Sequence, residues 1–342
     1  MANAKQNPLG SLDLSGLRDN EVQTTEPVLQ KAGRAQARTL ETVEVPTPDF
    51  GPIATLPGTW SGPGFNLIEI PNMNQAKPGP PPADKFKLIL NSTQETLTFS
   101  TIGGDIINRG NAQGDIAFKG LHYLQQVTDI VSNEGIHLET GLFLNLPAGT
   151  DPDVQPSVAR LGSIPHGDSL LAQGKAISVK GGPTFTVADP TPFTIVDGKR
   201  QNDTSAPYLS LLNNAVPPAG IPKEVIMNPN ILLENAIKGQ NITEMVVILL
   251  DANPIEGVCN PGAQPATGGI TNIPFVNVNA NANSFTAIFW IETVQNADGS
   301  TFLQLQYTQT VILDFPVFGA DGKTAVDIKW PHISVATLRL QP

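Results

Sequence analysis

Beyond about residue 55, apolar and polar positions alternate with a period of two through much of the chain. The cleanest stretch is 301–313, TFLQLQYTQTVIL. Leu303, Leu305, Tyr307, Val311 and Leu313 share one parity, with Gln309 the exception, while Gln304, Gln306, Thr308 and Thr310 share the other. Successive side chains of an extended chain point to opposite faces, so this pattern predicts a strand with two chemically different faces. Alternating or wholly apolar runs recur at 86–90, 95–101, 121–131, 136–146, 171–179, 245–250, 284–294 and 333–340. Turn signals stand between several of them. Asp298-Gly299 separates 284–294 from 301–313, Asn133-Glu134-Gly135 separates 121–131 from 136–146, and Asp321-Gly322 follows Phe315–Gly319. Such turns join antiparallel neighbours. One helix is expected near Asn228–Lys238, with Pro229 in its first turn and Gly239 as its stop. A set of about eight to ten antiparallel strands must hide its edges, and closure into a barrel does so while leaving room for one small ligand. The expected fold is therefore all-β, an antiparallel β-barrel with long loops and one or two short helices. A two-sheet sandwich is the competing architecture.

Residues 1–50 break the pattern. They carry scattered charge and no strand-like run, and Pro27–Val43 has a partial helical stripe in Leu29, Ala32 and Leu40, interrupted by Gln36. They are expected to form an N-terminal extension, partly helical or disordered, before a single ligand-binding domain over 51–342. The Pro- and Gly-rich segments 71–84, 148–156 and 253–269 are long for plain connectors and are expected to cover or line a site.

Composition narrows the choice of function. The net charge is -11, and no basic run offers a footprint for phosphate backbones, so a nucleic-acid partner is not expected. No apolar stretch reaches the length of a membrane-spanning helix. The start lacks the pattern of a secretory signal, and the lone Cys259 has no internal partner, so a cytoplasmic location is expected. Metal-binding His-x-x-x-His and Cys-x-x-Cys spacings are absent, as are the nucleophile elbow, the P-loop and the dinucleotide fingerprint.

The first strand opens Gly58-Thr59-Trp60-Ser61-Gly62-Pro63-Gly64-Phe65. A Gly-x-Trp at this position resembles the lipocalin and fatty-acid-binding barrels, and the Gly-x-Trp-x-Gly-x-Gly form is similar to the nitrobindin-type haem barrels. In the lipocalin pattern an arginine from the last strand covers the tryptophan, and Arg339 stands where it would do so. Further segments in the same order are Leu97-Thr98-Phe99, Asn108-Arg109-Gly110, Gly120-Leu121-His122-Tyr123, Ile164-Pro165-His166-Gly167, Phe289-Trp290-Ile291-Glu292-Thr293 and Trp330-Pro331-His332-Ile333. Together, over residues 55–342, they resemble a family of bacterial and fungal proteins described as haem-binding. The resemblance implies a non-covalent haem b with peroxidase-like activity.

Four histidines are available to such a site. His137 shares a parity with Glu139 and is expected on a solvated face, His332 reads as a strand-entry residue, and His122 is ambiguous. His166, between Pro165 and Gly167, is the expected iron ligand, with His122 second in line and also the candidate for moving a proton on the distal side. Arg160 or Arg109 is expected to meet the propionates, and Leu142, Leu144, Phe289 and Leu305 to pack against the porphyrin. Two other readings stay open. One is a lipocalin-like carrier of an apolar small molecule without metal. The other is a structural or assembly protein, a homo-oligomer joined through the N-terminal arm.

Overall fold

The computed structural model describes residues 49–342 except 72–85, 112–113, 151–152, 155, 198, 205–207, 254–268, 278 and 319–324. The expectations for the N-terminal extension, for Cys259, for the Asp321-Gly322 turn and for most of the loops 71–84 and 253–269 lie outside the described residues. In chain order the strands are β1 (Gly58–Pro71), β2 (Phe86–Thr101), β3 (Ile106–Asn108), β4 (Ile116–Asp129), β5 (Gly135–Leu146), β6 (Gly149–Thr150), β7 (Asp153–Val154) and β8 (Ser157–Ile164). They continue as β9 (Asp168–Lys180), β10 (Phe193–Val196), β11 (Lys199–Asn202), β12 (Asn241–Ala252), β13 (Gly269–Asn272), β14 (Asn281–Gln295), β15 (Thr301–Phe318) and β16 (Ala325–Leu340). The helices are α1 (Tyr208–Asn214), α2 (Asn230–Ala236) and α3 (Pro274–Asn277).

Ten of these strands close on themselves. Antiparallel neighbours run β1-β2-β4-β5-β8-β9-β12-β14-β15-β16, and β16 pairs back to β1 through Trp60↔Leu340 to Ile68↔His332. The protein is thus an all-β antiparallel barrel, and closure removes the sheet edges a sandwich would leave. The 86–90 and 95–101 runs are one strand, and 157–164, outside every strand-like run read from the sequence, is a barrel strand. The turn residues behave as their chemistry requires. Gly299 (φ +86°) and Asn133 (φ +58°) take the left-handed conformation in the two hairpins, and Gly239 (φ +79°) lies beyond α2.

One end of the barrel is packed solid. Phe50, Ile53 and Leu56 precede β1 and join Trp60, Leu97, Phe99, Leu121, Phe143, Leu305 and Leu338 in its interior. Trp60 is fully buried and donates its indole N–H to the Leu56 carbonyl at 2.8 Å. Arg339 does not cover it. That side chain is on the outer surface, stacked 3.6 Å above the Phe302 ring. The reason is parity: Trp60 and Leu338 project inward, and Arg339, next to Leu338, must project outward.

A second apolar layer lies outside the barrel wall. Leu212 of α1, Val225 and Ile226 of a 3-10 turn, and Leu233 of α2 pack on the outward side chains Phe65, Leu67, Met245, Val247, Trp290, Ile333 and Val335. Strands under this layer are buried on both faces, which is why β14 is buried along most of its length and carries the apolar run Ala287–Ile291. The polar parity of β15 does not face water. Gln306 donates to the Leu233 carbonyl and to Thr337, and Thr308 donates to Asn230 Oδ1, so these side chains fasten α2 to the barrel.

Candidate functional site

Toward the other end, where β1 reaches Ile68 and β16 begins, the interior is open. A cavity of about 580 Å³ occupies it. Its walls are largely apolar, with Ile68, Ile89, Val127, Ile136, Ile164, Leu170, Ile270, Phe285, Val311 and Leu313, and α3 contributes Val276 at its edge. That size is ordinary for a small-molecule site. His137, His166 and His332 line it, together with Glu139, Asp168, Asn66, Asn91, Gln125, Tyr307 and Gln309.

The floor is a buried ionic network centred on Arg160. This guanidinium is 2% exposed and lies between the rings of Tyr123, Phe143, Phe285 and Phe289, 5.3–5.8 Å from their centres. It pairs with Glu139 at 2.9 Å and donates to Tyr123 Oη, Gln309 Oε1 and Gln125 Oε1. Burial pushes the Glu139 carboxyl up, but the Arg160 charge and bonds from His137 and Tyr123 overcome it and hold the pKa at about 2. The acid is therefore ionised and the pair internally neutral. Beside it, Tyr307 donates to Glu95 at 2.5 Å, and Gln125 Nε2 donates to the same carboxyl at 2.9 Å. Burial raises Glu95 against those bonds. A charge inside a barrel is tolerable only when paired and fully bonded, and Arg160 meets that condition.

The rim carries the imidazoles. His166 sits in the turn from β8 to β9, where Gly167 adopts φ +111°, and its ring stacks obliquely on His137 with centres 5.7 Å apart. Burial lowers the His166 pKa, and His137 beside it adds to the effect. His137 reaches Glu139 Oε2 at 3.4 Å. His332 is more tightly specified. Asp129 accepts backbone N–H bonds from Val131 and Ser132, which hold its carboxyl below the ordinary range, so it can only accept. Asn91 must then turn its amide N–H toward Asp129 (2.5 Å), Asn66 must donate to Asn91 Oδ1 (3.1 Å), and Asn66 Oδ1 must accept from His332 Nε2 (2.6 Å). The relay fixes the tautomer: Nε2 carries the proton, and Nδ1 keeps its lone pair. Burial pushes the His332 pKa down to about 4, so the ring is neutral at neutral pH.

Several sequence expectations change here. His166 does line the cavity. His122 does not: it is exposed on the outer face of β4 and bonded to Thr140. Leu142 and Leu144 also face outward, because Phe143 between them points in. Phe289 and Leu305 point inward but belong to the packed end rather than to the cavity lining. Arg109 is 78% exposed and paired with Asp115. Arg160 lies in the floor, not at the mouth, and its charge is taken by Glu139. His137 is in the cavity wall instead of on a solvated face, and His332 is a wall residue as well. The signal that could have found His137 was Glu139 on the same parity, a carboxylate that needed a partner.

No protein-family model matches the chain, and no curated protein matches it. Among solved structures the chain is similar to Rv2717c from M. tuberculosis, at 13% identity and a TM-score of 0.39, over 86% of this chain and 99% of that one.

Proposed function

We propose that the barrel binds a flat, largely apolar small molecule in its cavity, and that haem b is that molecule. The observation that carries the reading is an apolar cavity of about 580 Å³ with a neutral imidazole in its wall whose Nδ1 has no protein partner among the described residues. A haem needs such a nitrogen donor and apolar walls for its ring. His332 fits the donor role because the Asn66–Asn91–Asp129 relay orients it from behind, as partners of ligating imidazoles commonly do. His166 is the second donor. When bound, haem would supply an iron centre open to peroxide chemistry. A proton on that side would be handled by His137, which Glu139 holds, since His122 is outside the barrel. No lysine or arginine is among the described lining residues, so the propionates would remain at the mouth in water.

That last point favours one alternative, a carrier of an uncharged apolar molecule without metal. Absorption spectroscopy separates the two. Haemin added to the purified protein is expected to give a shifted, saturable Soret band, lost in His332→Ala and retained in His166→Ala. No band shift in the wild type rejects haem. Loss in His166→Ala with retention in His332→Ala moves the ligand to the turn.

A further inference from the structure

We propose that the cavity floor selects ligands that bring an uncharged hydrogen-bond acceptor, such as a ketone or quinone carbonyl, into the barrel, with the Gln309 amide as its donor. The inference rests on the cavity being a small-molecule site and is independent of haem.

Gln309 is the residue that breaks the apolar parity of β15, between Tyr307 and Val311. A polar side chain on an inward face costs stability unless it is bonded. Half of the amide is accounted for. A guanidinium has only donors, so the atom 2.8 Å from Arg160 Nη1 must be Oε1. The opposite edge, Nε2 with two N–H groups, then has no protein partner among the described residues, and Gln309 lines the cavity. The neighbouring polar groups are spent. Gln125 is also gripped through Oε1 by Arg160, but its Nε2 serves Glu95 and Tyr307. Tyr307 Oη donates to Glu95, and His332 Nε2 and Ser334 Oγ both donate to Asn66. Arg160 therefore acts on the ligand indirectly, by holding Gln309 with its donor edge free.

The preferred acceptor is uncharged. Glu139 already neutralises Arg160, no lysine or arginine lines the cavity among the described residues, and Asp168 stands in its wall. A carboxylate would lose its hydration without gaining a counter-charge. A carbonyl gains one hydrogen bond from an oriented donor in a low-dielectric site.

Fluorene and fluoren-9-one are flat tricyclic probes that differ by one carbonyl. Calorimetric titration of both into the full chain gives the ratio of their affinities. That ratio is expected to fall about fivefold, the effect of one neutral hydrogen bond, when the donor is removed. Gln309→Glu keeps an oxygen for Arg160 and deletes the N–H groups. Gln309→Met deletes them without adding charge, and near-UV circular dichroism checks that each variant folds. Fluorene-9-carboxylate is expected to bind the wild type more weakly than fluoren-9-one. An unchanged ratio in both folded variants, or tighter binding of the carboxylate, overturns the proposal. If none of the probes binds the wild type, the small-molecule reading falls and this one with it. If haemin fails to bind but the ratio still falls in the variants, haem alone is rejected.

Discussion

Glu69 shows how a single buried group can set the pH response of the whole chain. It is fully buried on β1, neither of its carboxyl oxygens has a hydrogen-bond partner among the described residues, and burial pushes its pKa up to about 8. The folded protein therefore keeps the proton long after the unfolded chain has released it. Stability contributed by the neutral acid is present below the unfolded value of 4.5 and is lost as pH rises toward about 8, by at most about 5 kcal/mol. Urea unfolding at several pH values across that window should show wild-type stability falling, with a flatter profile in Glu69→Gln. Equal slopes in the two proteins would remove Glu69 as the cause. Arg160 is the opposite case, a buried ion with all its neighbours arranged as acceptors or ring faces, and its pKa is raised because pairing with Glu139 outweighs burial.

At the scale of elements, β5 is the instructive strand. Its alternation is clear, and a strand was rightly expected there, but the apolar parity of Leu138, Leu142 and Leu144 faces outward. The inward parity is His137, Glu139, Gly141 and Phe143. A period of two says that two faces differ and does not say which one is inside. Here the inward charges are satisfied by Arg160 from β8, a residue 21 positions from Glu139 that no local pattern could assign as its partner. Gly141 has its own reason. A Cβ there would lie 1.8 Å from the Leu161 carbonyl oxygen and 2.9 Å from the Tyr123 ring, so the β5–β8 contact requires glycine. Gly141→Ala is expected to lower unfolding stability by about 1–3 kcal/mol, read as a shift in denaturant midpoint. A midpoint equal to wild type would mean the strands can separate freely at that point.

For the whole molecule, the decisive feature is that the barrel is filled at one end and hollow at the other. The chain carries a net charge of -11, and no lysine or arginine is among the described residues that line the cavity. A dianionic planar ligand is therefore repelled at long range, and salt screens that repulsion. The affinity for protoporphyrin IX is expected to rise as sodium chloride goes from about 20 to about 300 mM, while that for its uncharged dimethyl ester stays level. Fluorescence titration of both compounds at the two salt levels is the check. A fall in affinity with salt for the free acid would point to a cation at the mouth.

The strand periodicity, the glycine and asparagine turns and the short helix near 228–238 were legible because they are local: backbone geometry and side-chain alternation act over a few residues. Closure was not: the same antiparallel strands could have stacked as two sheets, and the pairing of β16 back onto β1 decided for the barrel. The placement of His166 in a turn was legible from Pro165 and Gly167 on either side of it. The inward placement of His137 and His332, the exclusion of His122 and the neutralisation of Arg160 were settled only when strands far apart in the chain came together. A carboxylate, an amide relay and an imidazole acquire their roles from partners as distant as Asn66 and His332, and such pairing energies leave no trace in the order of the residues.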